Sequence, residues 1–421
     1  MSSVSIIAFS CAAGIVLSVF RKRADPLSPG RLFGLLWSVA IGLTDLKFSA
    51  LQNDWTAEGW SLLLIGLASF FVGVYIIYVL NFYSPMYAVS DMRIICERSI
   101  GNENFLYRAT LMMFLLYVLS YAGSALIKGF VPMFTTEPSK MRTQFTVFGL
   151  GLLVHAAPAI MFFVVQYMVL VRRRVFRKLI LVFIFLMTAT TYFFLLQRFD
   201  YAVWAVTTAV FLYYSSRYMN WKTMLLPLGL FLVLFYAVQS VRLVGHIENY
   251  IYYRSEMKFP IEYAVFTEPY MYVVMNLENF VRSSQLLDAH TYGFYSFNSV
   301  MSLTGLKHWI EGYWNLDEAP FIIGGYNTYS FLWTYYRDFG IPGLMAFPLI
   351  EGSVIAHLYY RMRRNPGVHT VSLYGLAVFT MVISFFFNVL SMLQFIVIVA
   401  MVYIVSKAAD GRRSRFVIRR G

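Results

Sequence analysis

The chain has 421 residues, 59% of them hydrophobic and 13% charged, with a formal net charge of +13. A soluble domain carries about 25% charged residues, so a soluble globular fold is excluded, and the positive excess lies in short loops where it sets membrane topology rather than a nucleic-acid face. The two cysteines, Cys11 and Cys96, fall in the first apolar run and in an expected cytoplasmic loop, which argues against a structural disulfide.

Eleven apolar stretches of membrane-crossing length follow one another at about 4–20, 31–50, 59–82, 106–127, 147–171, 178–197, 199–216, 222–241, 340–360, 369–387 and 391–407. The expected fold is an all-α integral membrane protein of eleven transmembrane helices, twelve if one stretch splits. The opening MSSVSIIAFS has no basic n-region and reads as a retained span. Arg21-Lys22-Arg23, the cluster from Arg172 to Lys178, Arg361 with Arg363 and Arg364, and the tail from Lys407 to Arg420 share one side. That side holds most of the 34 lysines and arginines. The positive-inside rule therefore puts the C-terminus in the cytoplasm and the N-terminus outside, and a twelfth span would bring both inside.

The outer side is unequal. The loop from Gln52 to Gly59 is short, and the next carries Lys128-Gly129-Phe130-Val131-Pro132, Lys140 and Arg142. A tight hairpin surrounds Arg198-Phe199-Asp200. The loop from Leu243 to Phe339 is very long, and long loops are usually functional. Within it Glu268 to Leu287 reads as an amphipathic helix, as does the opening segment. Its aromatics include Tyr250, Tyr252, Tyr253, Tyr270, Tyr272, Trp309 and Trp314. They suit sugar stacking or an interfacial belt. Three stretches result: an N-terminal bundle at 1–242, the outer loop at 243–339, and C-terminal spans with a basic tail at 340–421.

The loop closes on Gly324 to Gly343, GGYNTYSFLWTYYRDFGIPG. Read as a helix, it carries Asn327, Ser330, Thr334 and Asp338 on one stripe and Tyr329, Trp333 and Tyr336 on another. Gly340, Pro342 and Gly343 then break the helix. A polar, aromatic-backed segment at the mouth of a bundle is a sensible place to hold a sugar.

Three arginines, Arg142, Arg198 and Arg242, sit at the outer surface against the charge trend. A guanidinium matches a phosphate with its planar fork, although an arginine at a helix end also snorkels to headgroups. Arg254, Arg282 and Arg337 each have a neighbouring acid, Glu256, Glu278 and Asp338, so local ion pairs compete with substrate binding. Asp338 is a candidate base if buried, or else a local partner. His290 is the histidine best placed to act. His155 and His357 lie in spans, where helix packing accounts for them. Asp45 and Lys47 read as an internal pair. No histidine or cysteine spacing suits a metal, and no nucleotide-binding or nucleophile-elbow motif occurs. Neither a metal nor another cofactor is expected.

These residues carry a resemblance. Gly129-Phe-Val-Pro132 followed by Arg142-Thr-Gln-Phe145 is similar to an outer loop of the Wzy-type polymerases of bacterial O-antigen and exopolysaccharide repeat units, relatives of the O-antigen ligases. Arg198 between two spans resembles that family's Ser-Arg hairpin, with Gln197 in place of the serine. Asn276-Leu-Glu-Asn-Phe280 with Tyr292-Gly293 resembles the large-loop pattern, and Tyr326-Asn-Thr-Tyr329 with Asp338-Phe-Gly340 resembles the segment that closes it. The ligases usually have histidine before that asparagine. Tyr326 here favours a polymerase.

The resemblance implies a C-type glycosyltransferase in the bacterial inner membrane, with its large helical loop in the periplasm. The glycan chain would move from undecaprenyl diphosphate onto a newly flipped lipid-linked repeat unit. Arg142, Arg198 and Arg242 would hold the diphosphate. Tyr326, Asn327 or Asp338 would orient the acceptor, with Arg254, Arg282, Arg337 and His290 beside them. A chain-length regulator and a flippase are the implied protein partners, and no nucleic acid is. The alternatives are an O-antigen ligase and, in another class, a lipid-linked oligosaccharide flippase. Such transporters are often built from repeats, and none is detectable here. The other C-type architecture shows paired acids in its first large outer loop, whereas Asp54 and Glu58 stand apart in a short one.

Overall fold

The computed structural model describes residues 2–20, 24–216, 229–230, 232–233, 236–237, 247–306, 309 and 325–410. Among these, regular structure is helical, and β-pairing is confined to two isolated bridges, Ser49 with Met257 and Ile100 with Asp410. The helices in order are α1 (Ser3–Val19), α2 (Pro29–Asp45), α3 (Ala57–Leu80), α4 (Val89–Ser99), α5 (Glu103–Lys128), α6 (Pro138–Gln144), α7 (Leu150–Val154) and α8 (Ala157–Leu170). They continue as α9 (Val175–Phe193), α10 (Phe199–Ser215), α11 (Ile247–Arg254), α12 (Thr267–Gln285), α13 (Asn298–Thr304), α14 (Phe331–Arg364), α15 (Val368–Ile383) and α16 (Leu393–Ala409).

Five segments are long and apolar enough to cross a membrane: α3, α5, α7 with α8, α9 and α14. Helices α1, α15 and α16 are apolar but shorter. By length and composition this is a helical membrane protein. Of the expected stretches, 31–50 and 199–216 fall on α2 and α10, which are in neither group, 222–241 lies mostly outside the described residues, and the others fall on these helices. Local signals set the starts. Ser2, Thr56 and Asn102 cap α1, α3 and α5 by accepting backbone N–H groups on their side-chain oxygens.

The chain divides into two compact units that follow tertiary contacts rather than chain order. The first comprises Met1–Ser84, His246–Tyr359 and Thr380–Ile396, the second Pro85–Gly245, Tyr360–Phe379 and Val397–Gly421. In the first, α12 packs against α2, α3 and α11 and is buried on most faces, with Met271, Val274, Met275, Leu277 and Phe280 in the core. Helices α3 and α14 approach backbone to backbone. A Cβ added at Gly73 would lie 2.1 Å from the Leu349 carbonyl oxygen, and one at Gly352 would lie 2.2 Å from that of Phe70. Small residues permit such crossings between apolar helices. Nearby, Phe33 stacks on Phe70 at 3.7 Å, and the Trp37 indole N–H donates to Ser384 Oγ at 2.9 Å.

Helix α14 departs from helical geometry at Gly340 (φ 64°, ψ −145°). The Tyr335 ring stacks on Phe347 at 4.7 Å, and the Tyr335 hydroxyl donates to Glu351. A straight helix would separate residues 335 and 351 by roughly 24 Å, so the chain doubles back sharply at the expected breakers. The start of this helix differs from expectation. Residues 326–330 are not helical, and α14 begins at Phe331. Asn327 and Ser330 therefore do not share a helical stripe with Thr334 and Asp338. Asn279 of α12 donates to the carbonyls of Tyr326 and Thr328 in this stretch.

In the second unit α8 and α10 are buried along most of their lengths, with α4, α5 and α9 around them. Polar pairs stitch its apolar segments together. Gln166 Nε2 donates to Ser372 Oγ at 2.6 Å, and Arg93 Nε donates to the Tyr213 carbonyl at 2.9 Å. His369 Nδ1 lies 3.1 Å from Ser406 Oγ.

Two outcomes are expected. Gly73→Val should force α3 from α14 and destabilise the fold by about 1–3 kcal/mol, the usual cost of overpacking. It would be read as a lowered melting temperature of the detergent-purified protein, while Gly14→Ala, whose Cβ would meet nothing within 4 Å, should leave it unchanged. The basic clusters set the second. In a variant lacking Cys11 and Cys96, single cysteines at Lys258 and Ser414 should be labelled by an impermeant maleimide from opposite sides of the membrane. Labelling of both from one side would overturn the expected topology.

Candidate functional site

The site in the first unit is built on α12. Glu278, fully buried, accepts from the Asn53 backbone N–H at 2.9 Å, the Trp55 indole N–H at 2.7 Å and Arg282 Nε at 2.7 Å. Arg282 also donates to the Leu51 carbonyl at 2.6 Å. The local Arg282–Glu278 pair expected from the sequence is thus present, and it anchors the α2–α3 connection. The next residue's side chain, Asn279 Nδ2, donates to the carbonyls of Tyr326 at 2.7 Å and Thr328 at 3.0 Å, while the Thr328 hydroxyl donates to Asn276 Oδ1. Both asparagines are buried. Together they hold residues 326–328 as a fixed extended stretch with Asn327 exposed.

Tyr326 is half-buried, and its hydroxyl meets Ser255 Oγ. Burial pushes this phenol above its ordinary value, partly offset by the Ser255 hydrogen bond and the Arg254 cation. Arg254 is exposed at the end of α11, with its guanidinium 5.9 Å from the Tyr250 ring centroid and against Gly325. Tyr326, Asn327 and Arg254 thus form one polar patch on a rigid base. Neighbouring Tyr329 stacks on Trp333 at 4.8 Å, and burial pushes its hydroxyl up to about 12.

Asp338 is fully buried. It accepts from the Thr291 hydroxyl, from the Tyr295 N–H at 3.2 Å and from the Ser296 N–H at 2.5 Å. The Tyr292 N–H reaches its backbone carbonyl at 3.1 Å. These bonds pin the turn 291–296 to α14. Arg337, 5% exposed, lies 4.1 Å from the Tyr295 ring centroid and 5.9 Å from that of Trp333. The carboxylate beside Arg337 is thus engaged by the turn, and a local Arg337–Asp338 ion pair does not explain it. His290 is exposed at the edge of this turn, its Nδ1 3.3 Å from the Arg337 carbonyl and its ring against Tyr336.

The second unit holds Arg142 and Arg198, both half-buried. Arg198 precedes α10 in a hairpin where Leu196 adopts φ 55°. The Met133 N–H donates to the Phe194 carbonyl at 3.0 Å, and Phe134 packs on Phe194. The loop that carries Arg142 is thereby fastened to the hairpin that carries Arg198. Asp200, fully buried, pairs with His155 Nδ1 at 2.8 Å. His155 is therefore an interior histidine held by a carboxylate. Arg242 lies outside the described residues.

The sequence reading missed the roles of Asn276, Asn279 and Glu351. Asn276 and Asn279 lie on the polar side expected of an amphipathic helix, so spacing alone could not separate a clamp from a solvated face. Glu351 within an apolar run was the available signal, since buried acids in such runs have partners or functions. Asp45 and Lys47 were expected to pair. Instead Asp45 accepts from Ser2 and Ser5, and Lys47 binds Asp54. Among the described residues no group of three or more His, Cys, Asp and Glu is placed to hold a metal ion. Compared with protein-family models, curated proteins and solved structures, the chain matches none.

The Asp338 geometry has a direct test. Asp338→Ala should free the 291–296 turn and raise amide hydrogen exchange at Tyr295 and Ser296 at least tenfold. Asp338→Asn, which retains acceptor oxygen, should show a smaller rise.

Proposed function

We propose that the chain is a repeat-unit polymerase of the bacterial inner membrane, a C-type glycosyltransferase with eleven spans and its long loop on the periplasmic side. The observation that carries this reading is the clamp of Asn276 and Asn279 on residues 326–328. It immobilises the stretch that resembles the loop-closing segment of Wzy-type polymerases and leaves Asn327 exposed beside Tyr326 and Arg254. A preorganised patch of hydrogen-bonding groups suits the orientation of a sugar hydroxyl.

In this reading the donor is a glycan on undecaprenyl diphosphate and the acceptor is a single lipid-linked repeat unit. An acceptor hydroxyl oxygen forms a bond to the anomeric carbon. The bond from that carbon to the diphosphate oxygen breaks, and undecaprenyl diphosphate leaves with the electron pair. By the same resemblance, Arg142, Arg198 and Arg242 would answer the charge that builds on the leaving group. The hydroxyl proton needs an acceptor at the site. His290 is exposed, with Nδ1 at the Arg337 carbonyl, whereas Asp338 is fully buried and already accepts three hydrogen bonds. Arg282 holds α12 to the α2–α3 connection through Leu51 and Glu278, and Arg337 lies over the Tyr295 ring.

A strain lacking this protein should make and flip single repeat units and show a surface pattern of core plus one repeat, without the ladder of longer chains. Gels of the glycolipids, with mass spectrometry of the lipid-linked pool, read the outcome. Long polymer on undecaprenyl diphosphate would point to a ligase and overturn the proposal, as would single units trapped on the cytoplasmic face, which mark a flippase. Complementation with Arg198→Lys should restore less than about a tenth of the ladder with normal insertion, because an ammonium keeps the charge but loses the bidentate fork.

A further inference from the structure

Away from this patch, the first unit contains a cavity of about 310 Å³ lined by Ser2, Asp45, Lys47, Asp54, Trp55 and Trp60. That is at the small end of the roughly 300–1,000 Å³ typical of ligand pockets. The indoles of Trp55 and Trp60 lie 4.6 Å apart between ring centroids and are tilted by 49°. Trp55 is not free to turn, because its N–H donates to buried Glu278 at 2.7 Å. A tryptophan of an interfacial belt instead directs its polar edge to the headgroups.

Polar groups line the other side. Lys47 donates to Asp54, and this hydrogen bond and its cation hold that carboxyl below the usual carboxylate range. Asp45 accepts from the hydroxyls of Ser2 and Ser5 and from the Ser5 N–H. The lining therefore presents two carboxylates, an ammonium already paired, hydroxyls and two aromatic faces. A phosphate would meet two negative groups with one committed cation. A purely apolar ligand would bury ionic groups without replacing their water. A neutral ring with one C–H face and several hydroxyls satisfies every part of the wall. Its C–H face lies on an indole, and its hydroxyls donate to carboxylate oxygens.

We infer that the Trp55–Trp60 cavity is a carbohydrate-binding subsite that takes a neutral sugar residue. It uses residues that the polymerase reading does not, and it stands whether or not the chain extends glycans.

The test uses the full-length protein in detergent on a printed array of neutral bacterial surface oligosaccharides, with affinities of the bound glycans then measured by isothermal titration. Wild type should bind a subset. Trp60→Ala should weaken that binding at least tenfold and Trp60→Phe by less, while Asp54→Asn should weaken it about threefold or more. Circular dichroism and gel-filtration profiles matching wild type would show that the variants are folded. Since Asp54 is fully exposed, its variant reports on the cavity even if Trp60→Ala fails to fold. Three results would each overturn the inference: no neutral glycan bound above heat-denatured protein, glycan binding indifferent to both substitutions, or Trp60-dependent binding of choline without glycan binding, which would mark an aromatic cation cage. Retained glycan binding together with a normal ladder in the deletion strain would remove the polymerase reading and leave the subsite standing.

Discussion

A carboxylate taken completely out of water costs several kcal/mol unless its charge and lone pairs are answered. Glu278 is such a group, and the first unit is arranged around its answers. Arg282, one helical turn away, supplies the charge. The Asn53 N–H and the Trp55 indole supply donors from residues 225 and 223 positions earlier in the chain. Any looser packing of α12 against the α2–α3 connection would expose or orphan the carboxylate. The same helix carries Asn276 and Asn279 toward residues 326–328 and Tyr270 toward the end of α2. Tyr270 donates to Gln52 at 2.7 Å and accepts from the Phe48 N–H at 2.9 Å, while burial pushes its hydroxyl up to about 12. The exposed patch at Asn327 and the fixed indole of Trp55 both depend on this one buried helix.

The second unit solves a related problem with different residues. Its helices are nearly featureless in sequence, so their register rests on sparse polar pairs such as Gln166–Ser372, His369–Ser406 and Asp200–His155. In apolar surroundings an unanswered polar group is expensive, which makes each pair a strong constraint on which faces meet. The Asp200–His155 pair anchors the α9–α10 hairpin, while Met133 fastens the preceding loop to it. Two arginine-bearing segments thereby become one ordered surface within this unit.

Much of the architecture was legible in the chain alone. Apolar runs bounded by basic clusters located the helices, because hydropathy and the need to satisfy every backbone group leave a membrane segment little choice. The amphipathic stretch at 268–287 and the break at Gly340 were also readable, since periodicity and glycine act locally. The partners of polar side chains were not. Sequence adjacency suggested Asp338 with Arg337 and Asp45 with Lys47, yet Asp338 holds the 291–296 turn and Lys47 holds Asp54. Residues 326–330 carry a helical pattern but remain outside α14, where Asn279 of α12 binds the carbonyls of Tyr326 and Thr328. Local propensity and hydropathy are properties of neighbouring residues, and the sequence by itself determined what depends on them. Which buried donor meets which acceptor depends on groups tens to hundreds of residues apart, and that was decided only when the helices packed.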